Sequence, residues 1–218
     1  MKQMLICAGI ALFTAVPANA QSSSSFSVGL TGGTLGVGPE VDYRGERFGI
    51  RGNATFLGIG RSVESDGVDY DGDLKLRSIG AMADYYPFGG GFRVSAGARI
   101  NNNRVDLKAT PTEDVEIGDE VYTPDEVGNI IGKVKANKLA PTLTVGWGGG
   151  ASGRGLRFAI DAGAMFQGSP RVTELRTTGM LSDPEFQADL QRERQEIEDD
   201  IDNFKIYPIL QLGIGYRF

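Results

Sequence analysis

The feature that most restricts the fold of this chain is an alternation of apolar and polar side chains with a period of two, repeated in segments of about ten residues. A β-strand turns successive side chains to opposite faces, so each segment reads as a strand with one apolar face. At the C-terminus Leu210, Leu212, Ile214, Tyr216 and Phe218 alternate with Gln211, Gly213, Gly215 and Arg217. Over 92–101, Phe92, Val94, Ala96, Ala98 and Ile100 alternate with Arg93, Ser95, Gly97, Arg99 and Asn101. Over 156–166, Leu156, Phe158, Ile160, Ala162, Ala164 and Phe166 oppose Arg157, Asp161 and Gly163. The same pattern recurs over 34–44 (Leu35, Val37, Val41 and Tyr43 against Glu40, Asp42 and Arg44) and from Arg47 (Phe48, Ile50, Ala54 and Phe56 against Arg51, Asn53 and Thr55). It recurs again over 73–85 (Ile79, Ala81, Ala83 and Tyr85 against Ser78, Gly80 and Asp84) and over 139–147 (Leu139, Pro141, Leu143, Val145 and Trp147 against Ala140, Thr142, Thr144 and Gly146).

Alternation alone fits a soluble sandwich, with the apolar face inward, as well as a membrane barrel, with the apolar face toward lipid. Three further features favour the barrel. The segments have the length that a tilted strand needs to cross a bilayer. Their polar faces carry Glu40, Asp42, Arg51, Asp84, Arg93, Arg99, Arg157 and Asp161 in mid-strand, which a dry core would not hold unpaired and a hydrated or ion-paired lumen would. The connections also alternate between short, Gly-rich turns (45–46, 87–91, 148–155) and long, charged loops (61–72, 105–138, 167–204), as periplasmic turns and external loops do in an outer-membrane barrel.

Aromatic residues give an independent expectation, because a membrane barrel carries girdles at both interfaces. Tyr43, Phe48, Tyr85, Tyr86, Phe88, Phe92, Trp147, Tyr216 and Phe218 fall at the short-turn rim, and Phe56, Phe166 and Tyr207 near the long loops. Seven segments would leave the chain starting outside. An eighth strand over 25–30, with Phe26, Val28 and Leu30 on one face and a turn at Thr31-Gly32-Gly33, restores the parity. The expected fold is therefore all-β: a transmembrane antiparallel up-and-down barrel of about eight strands.

Residues 1–20 read as a cleaved signal peptide, with Lys2, an apolar run from Met4 to Val16, and the small-x-small site Ala18-Asn19-Ala20. The barrel domain is then 21–218, starting at Gln21. The single Cys, Cys7, falls in the leader, so the mature domain has no thiol for a disulfide or a metal. Its 21 basic and 28 acidic side chains give a net charge of −7, which argues against nucleic acid and against a basic peripheral membrane protein. No apolar span follows the leader, so any membrane residence has to be as a barrel.

One segment reads as helix. Asp183 can cap, Pro184 suits the first turn, and Phe186, Leu190, Ile197 and Ile201 share a face through Asp200. It is expected to lie over or beside the barrel mouth, as a solvated loop or as a partner-binding or plugging helix. Two acidic stretches, Asp66 to Asp73 and the run Glu113, Asp114, Glu116, Asp119 and Glu120, are expected to be solvated external loops. The first departs from the calcium-loop pattern, with no Gly after Asp73 and no closing Glu.

Tyr216-Arg217-Phe218, with Leu210, Leu212 and Ile214 before it, resembles the C-terminal signal by which outer-membrane barrels are recognised by their assembly machinery. Asp84-Tyr85-Tyr86-Pro87-Phe88 and the following Gly91 to Gly97 resemble the strand-turn-strand of small Gram-negative outer-membrane barrels of the broad OmpA/OmpW-like type. The resemblance implies fold and compartment, with outer-membrane lipid, lipopolysaccharide and the assembly machinery as partners. It implies no cofactor and no function, since members of that type do different things. The hydrolase, protease and acyltransferase barrels resemble one another in needing a His base, and this chain has no His, nor a Ser-x-x-Lys at a strand end, so no enzymatic activity is expected. If the lumen acids and bases pair, the barrel is plugged. If they do not, it is a narrow small-solute channel.

Overall fold

The computed structural model describes residues 24–65, 67–117, 120–150, 153–179 and 184–218. The leader with Cys7, the mature start at Gln21, Asp66, Asp119 and the helix cap Asp183 lie outside the described residues. In chain order the elements are β1 (Ser25–Gly33), β2 (Gly36–Arg44), β3 (Phe48–Ser65), β4 (Val68–Tyr85), β5 (Phe92–Asn101), β6 (Arg104–Pro111), β7 (Val115–Ile117), β8 (Glu120–Tyr122), α1 (Pro124–Val127), β9 (Ile130–Lys135), β10 (Leu139–Gly150), β11 (Gly155–Phe166), β12 (Arg171–Thr177), α2 (Pro184–Ile201) and β13 (Ile206–Arg217).

Eight of these strands close into an antiparallel ring in the order β4-β3-β2-β1-β13-β11-β10-β5, and the β4–β5 pairing joins its ends. β13 lies between β1 and β11, with Arg217 opposite both Ser27 and Gly155. The outward faces carry Ile50, Ile79, Leu143, Phe158, Leu212 and Ile214, all exposed, while Arg93, Ser95 and Thr55 on the inward faces are buried. An apolar exterior around a polar interior is the reverse of a soluble sandwich. Among the described residues no helix is long and apolar enough to cross a membrane.

At the short-turn end Tyr43, Phe48, Tyr85, Phe88, Phe92, Trp147, Tyr216 and Phe218 form an exposed collar. Phe48 and Tyr85 pair at 5.2 Å, Phe88 and Phe92 at 5.8 Å, and Tyr216 and Phe218 at 5.1 Å between ring centroids. Tyr86 does not belong to this collar. It follows Tyr85 directly, so it faces the other way, is only 2% exposed, and lies under the Arg44 guanidinium at 3.9 Å. Tyr207 is likewise drawn off the opposite rim. It shares the inward parity of Ile209 and Gln211, and its hydroxyl donates to the Thr34 carbonyl at 2.6 Å.

The first hairpin turns at Thr34-Leu35 and not at Thr31-Gly32-Gly33, which continue β1 opposite Gly38, Val37 and Gly36. Gly36, the first residue after the turn, has a φ of +96°, which glycine adopts without a Cβ penalty. As a turn residue Leu35 escapes the strand alternation. It folds into the barrel mouth, 3% exposed, against Ala140, Met165 and Ile209, and does not face outward with Val37 and Val41.

The long connections are folded. Residues 61–65 and 68–72 continue the β3–β4 ladder out to the Ser65–Val68 pair, so both strands run 18 residues. On β4 the even positions change from Ser78, Gly80 and Asp84 in the barrel to Val68, Tyr70 and Leu74 beyond it. The odd positions change from Ile79, Ala81 and Ala83 to Asp69, Asp71 and Asp73. The polarity of both faces thus inverts near Arg77. There β4 also exchanges its neighbour, pairing with β5 up to Ser78–Asn101 and with β6 from Lys75–Arg104. Three consecutive asparagines make the exchange: the Asn102 N–H donates to the Arg77 carbonyl at 2.8 Å, and Asn103 Oδ1 accepts from the Arg77 N–H at 2.9 Å.

β6, β9 and β12 extend the β3–β4 tip into a cap sheet in the order β3-β4-β6-β9-β12. α2 packs on β12 and β7, burying Phe186 and Leu190 with Ile117 and Val127. The helix therefore belongs to the cap and does not enter the lumen.

Replacing Leu35 with Ala should cost about 2–5 kcal/mol, the range for a truncated buried leucine. Equilibrium urea unfolding in lipid vesicles, followed by the mobility difference between folded and unfolded barrel, measures it.

Candidate functional site

Two regions hold functional potential, the barrel interior and the cap. All eight mid-strand charges face the interior and are at most 9% exposed. Arg51 on β3 is the hub. Its guanidinium lies 2.7 Å from Asp161 of β11, 3.3 Å from Asp84 of β4 and 3.7 Å from Glu40 of β2, and it donates to Ser95 at 3.3 Å. Arg93 of β5 also holds Asp161, donating to both carboxylate oxygens at 2.7 and 3.2 Å. Arg157 pairs with Asp42 nearer the short-turn end. Glu40 accepts a further bond from Asn53 at 3.2 Å.

Arg99 stands apart. Its guanidinium donates to the Ser78 hydroxyl at 3.0 and 3.1 Å and to Thr55 at 3.4 Å, and among the described residues no carboxylate is within ion-pairing distance. The interior holds four acids and four bases among these eight groups, so their formal charges cancel. Neutral polar groups complete the network. Ser78, Ser95, Asn53 and Thr55 were visible in the sequence only as inward parity, without any sign of which charge each would serve.

Side chains stand over both ends of this network, with a space of about 860 Å³ beside Arg44, Trp147 and Arg217 at the short-turn end. Arg44 donates to the carbonyls of Gly89 and Gly90 at 2.8 and 2.6 Å while stacking on Tyr86. At the other mouth sit Leu35, Ala140, Met165 and Ile209. The cavities between the two ends measure about 20 Å³, beside Arg51 and Arg99, and about 10 Å³, beside Asp42 and Arg157. Each has room for roughly one water molecule. An eight-stranded ring is just wide enough for packed side chains, and here they fill it.

The C-terminal residues Leu210, Leu212, Ile214, Tyr216 and Phe218 stand on the outer face of β13, exposed and away from the interior charges.

The cap sheet has an apolar face toward α2 and a charged face away from it. Lys75 binds Asp106 at 2.8 Å, and Lys133 binds Glu174 at 2.6 Å. Asp69, Asp71 and Asp73 alternate along the charged face of β4, with Asp71 accepting from Ser62 and Asp73 lying 3.5 Å from Lys75. They lie in a strand paired on both sides, not in the loop expected of them. Glu113, Asp114, Glu116 and Glu120 lie in and beside the β7–β8 hairpin, on the surface. Among the described residues no three His, Cys, Asp or Glu converge as metal ligands would. Between the apolar face, β7 and α2 is a cleft of about 410 Å³.

Hydrogen bonds from Lys75 and Lys133 hold the Asp106 and Glu174 carboxyls below the ordinary carboxylate range. A carboxyl depressed by folding stabilises above its unfolded value, about 4, and loses that contribution as pH falls through the depressed one. Hydrogen exchange of the β6, β9 and β12 amides, corrected for intrinsic rates, should thus be unchanged from pH 7 to 5 and faster near pH 3. In the interior, Asp161→Asn should cost about 3–5 kcal/mol, because it leaves two buried guanidiniums short of their shared carboxylate. Removing Asp42 and Arg157 together, as Asp42→Leu with Arg157→Leu, should cost less than either change alone in the same unfolding measurement.

No protein-family model and no curated protein matches the chain. Among solved structures, that of Acinetobacter baumannii CarO2 superimposes with a TM-score of 0.60 at 22% identity, over 89% of this chain and 98% of that one. That of Acinetobacter baumannii CarO gives 0.57 at 23% identity, over 88% and 97%. This chain shares with both the fold of an antiparallel β-barrel over nearly their whole length.

Proposed function

We propose that the chain is an outer-membrane β-barrel with a structural or surface-interaction role, in which a plugged ring carries a folded cap above the bilayer. The observation that carries the reading is the filled interior. Seven of its eight charges pair across the ring and Arg99 is held by Ser78 and Thr55, Arg44–Tyr86 and the Leu35 cluster stand over its ends, and the two cavities within it are about 20 and 10 Å³. Such an interior favours a scaffold over a small-solute channel. The apolar exterior, the aromatic collar and the inversion of polarity near Arg77 support residence in a bilayer. The signal-peptide pattern of residues 1–20 supports export to the outer membrane.

Under this reading the outer face of β13 serves the barrel assembly machinery, lipid surrounds the ring, and the cap meets lipopolysaccharide and whatever lies beyond it. The role is non-enzymatic.

Protein refolded into planar bilayers should be electrically silent over sustained recording, and steady unitary openings would overturn the plugged reading. The barrel should also show heat-modifiable mobility on a detergent gel. A mature chain recovered soluble from the periplasm would refute residence in the outer membrane.

A further inference from the structure

The cleft in the cap is some twentyfold larger than the larger cavity of the interior and opposite to it in character. We propose that it binds a small amphipathic cation, a molecule with a compact apolar body and one protonated amine. A volume of about 410 Å³ falls within the range of small-molecule sites.

The floor of the cleft is the apolar face of the cap sheet, with Tyr70 on β4, Leu107 on β6 and Val134 on β9. Its roof is the α2 face bearing Leu190 and Ile197. Tyr70 and Leu107 remain 41% exposed although they face the helix side of the sheet, so α2 does not close down on them. A glycine keeps the floor low. Gly132 lies opposite both Leu107 and Leu175, and a Cβ built there would meet only the Leu107 Cβ, at 3.7 Å. The space is thus held open by a missing side chain that the strand itself would tolerate.

Charge selects the occupant. Asp114, Glu116 and Glu193 line the cleft, and among the described residues none of them has an ion-pair partner. The neighbouring cations are already engaged: Lys133 by Glu174, Arg192 by Asp189 and Arg194 by Glu198. Three uncompensated carboxylates beside an apolar floor attract an amine, repel an anion and add nothing for a neutral solute. The inference concerns the cap alone and does not depend on whether the ring conducts.

The test uses the mature chain in lipid nanodiscs with labelled Ile, Leu and Val methyl groups, followed by NMR at pH 7. The probes are 1-naphthylmethylamine, its neutral counterpart 1-naphthalenemethanol, and 1-naphthoate, which share one ring system and differ in charge. The amine should shift the methyl signals of Leu107, Val134 and Ile197 to saturation, with affinity about tenfold or more above that of the carboxylate. Gly132→Leu, which fills the floor, should abolish the saturable shifts. Glu116→Gln with Glu193→Gln keeps the shape of the cleft and should lower amine affinity toward that of the alcohol, so this arm does not rest on how the filled variant folds. Shifts that grow linearly with amine, equal affinity for amine and carboxylate, or saturable binding that survives Gly132→Leu would each overturn the proposal.

Discussion

A carboxylate shared by two guanidiniums in a space without bulk water is the constraint on which the ring depends. Asp161 takes Arg51 on one side and Arg93 on the other, and Arg51 in turn gathers Asp84 and Glu40. Backbone ladders tie each strand only to its neighbours. This network ties β2, β3, β4, β5 and β11 across the hollow of the ring, where no main-chain bond reaches. A one-residue slip in any pairing would turn a charged side chain outward and an apolar one inward. Buried ion pairs add little net stability against an apolar filling, so what this network supplies is a unique register.

The barrel was legible because alternation is a local property. Parity along a segment assigns each side chain to a face without knowledge of its neighbours, and it put all eight charges on one side. Pairing was not legible, because it depends on the stagger between strands far apart in sequence: nothing near Arg157 indicates Asp42. Parity also failed where the strand rule lapses. Leu35 sits in a turn, so its side chain is free of the alternation; Tyr86 obeys it, facing inward directly after the outward Tyr85, and only its place among rim aromatics in the sequence points the other way. Met165 and Ile209, by contrast, had inward parity all along.

The cap is not legible in the sequence for a different reason. The stretch Val68 to Leu74 alternates as cleanly as any barrel strand, but its aspartates suggested a loop because strands are usually judged by apolar content. Water on one face and a helix on the other invert the expected partition, so the same strand obeys two opposite rules on either side of Arg77. α2 was legible as an amphipathic helix from its spacing. Its resting place on β12 and β7 was not, because the sheet that receives it is assembled from three separate connections.

The unbroken passage of β3 and β4 from ring to cap couples the two parts mechanically. Each is a single strand of 18 residues, about 60 Å long at the usual rise, and their outer halves supply the edge on which β6, β9 and β12 are laid. The cap and the ring therefore share one pair of strands, and the cap cannot shift relative to the ring without breaking the β3–β4 ladder.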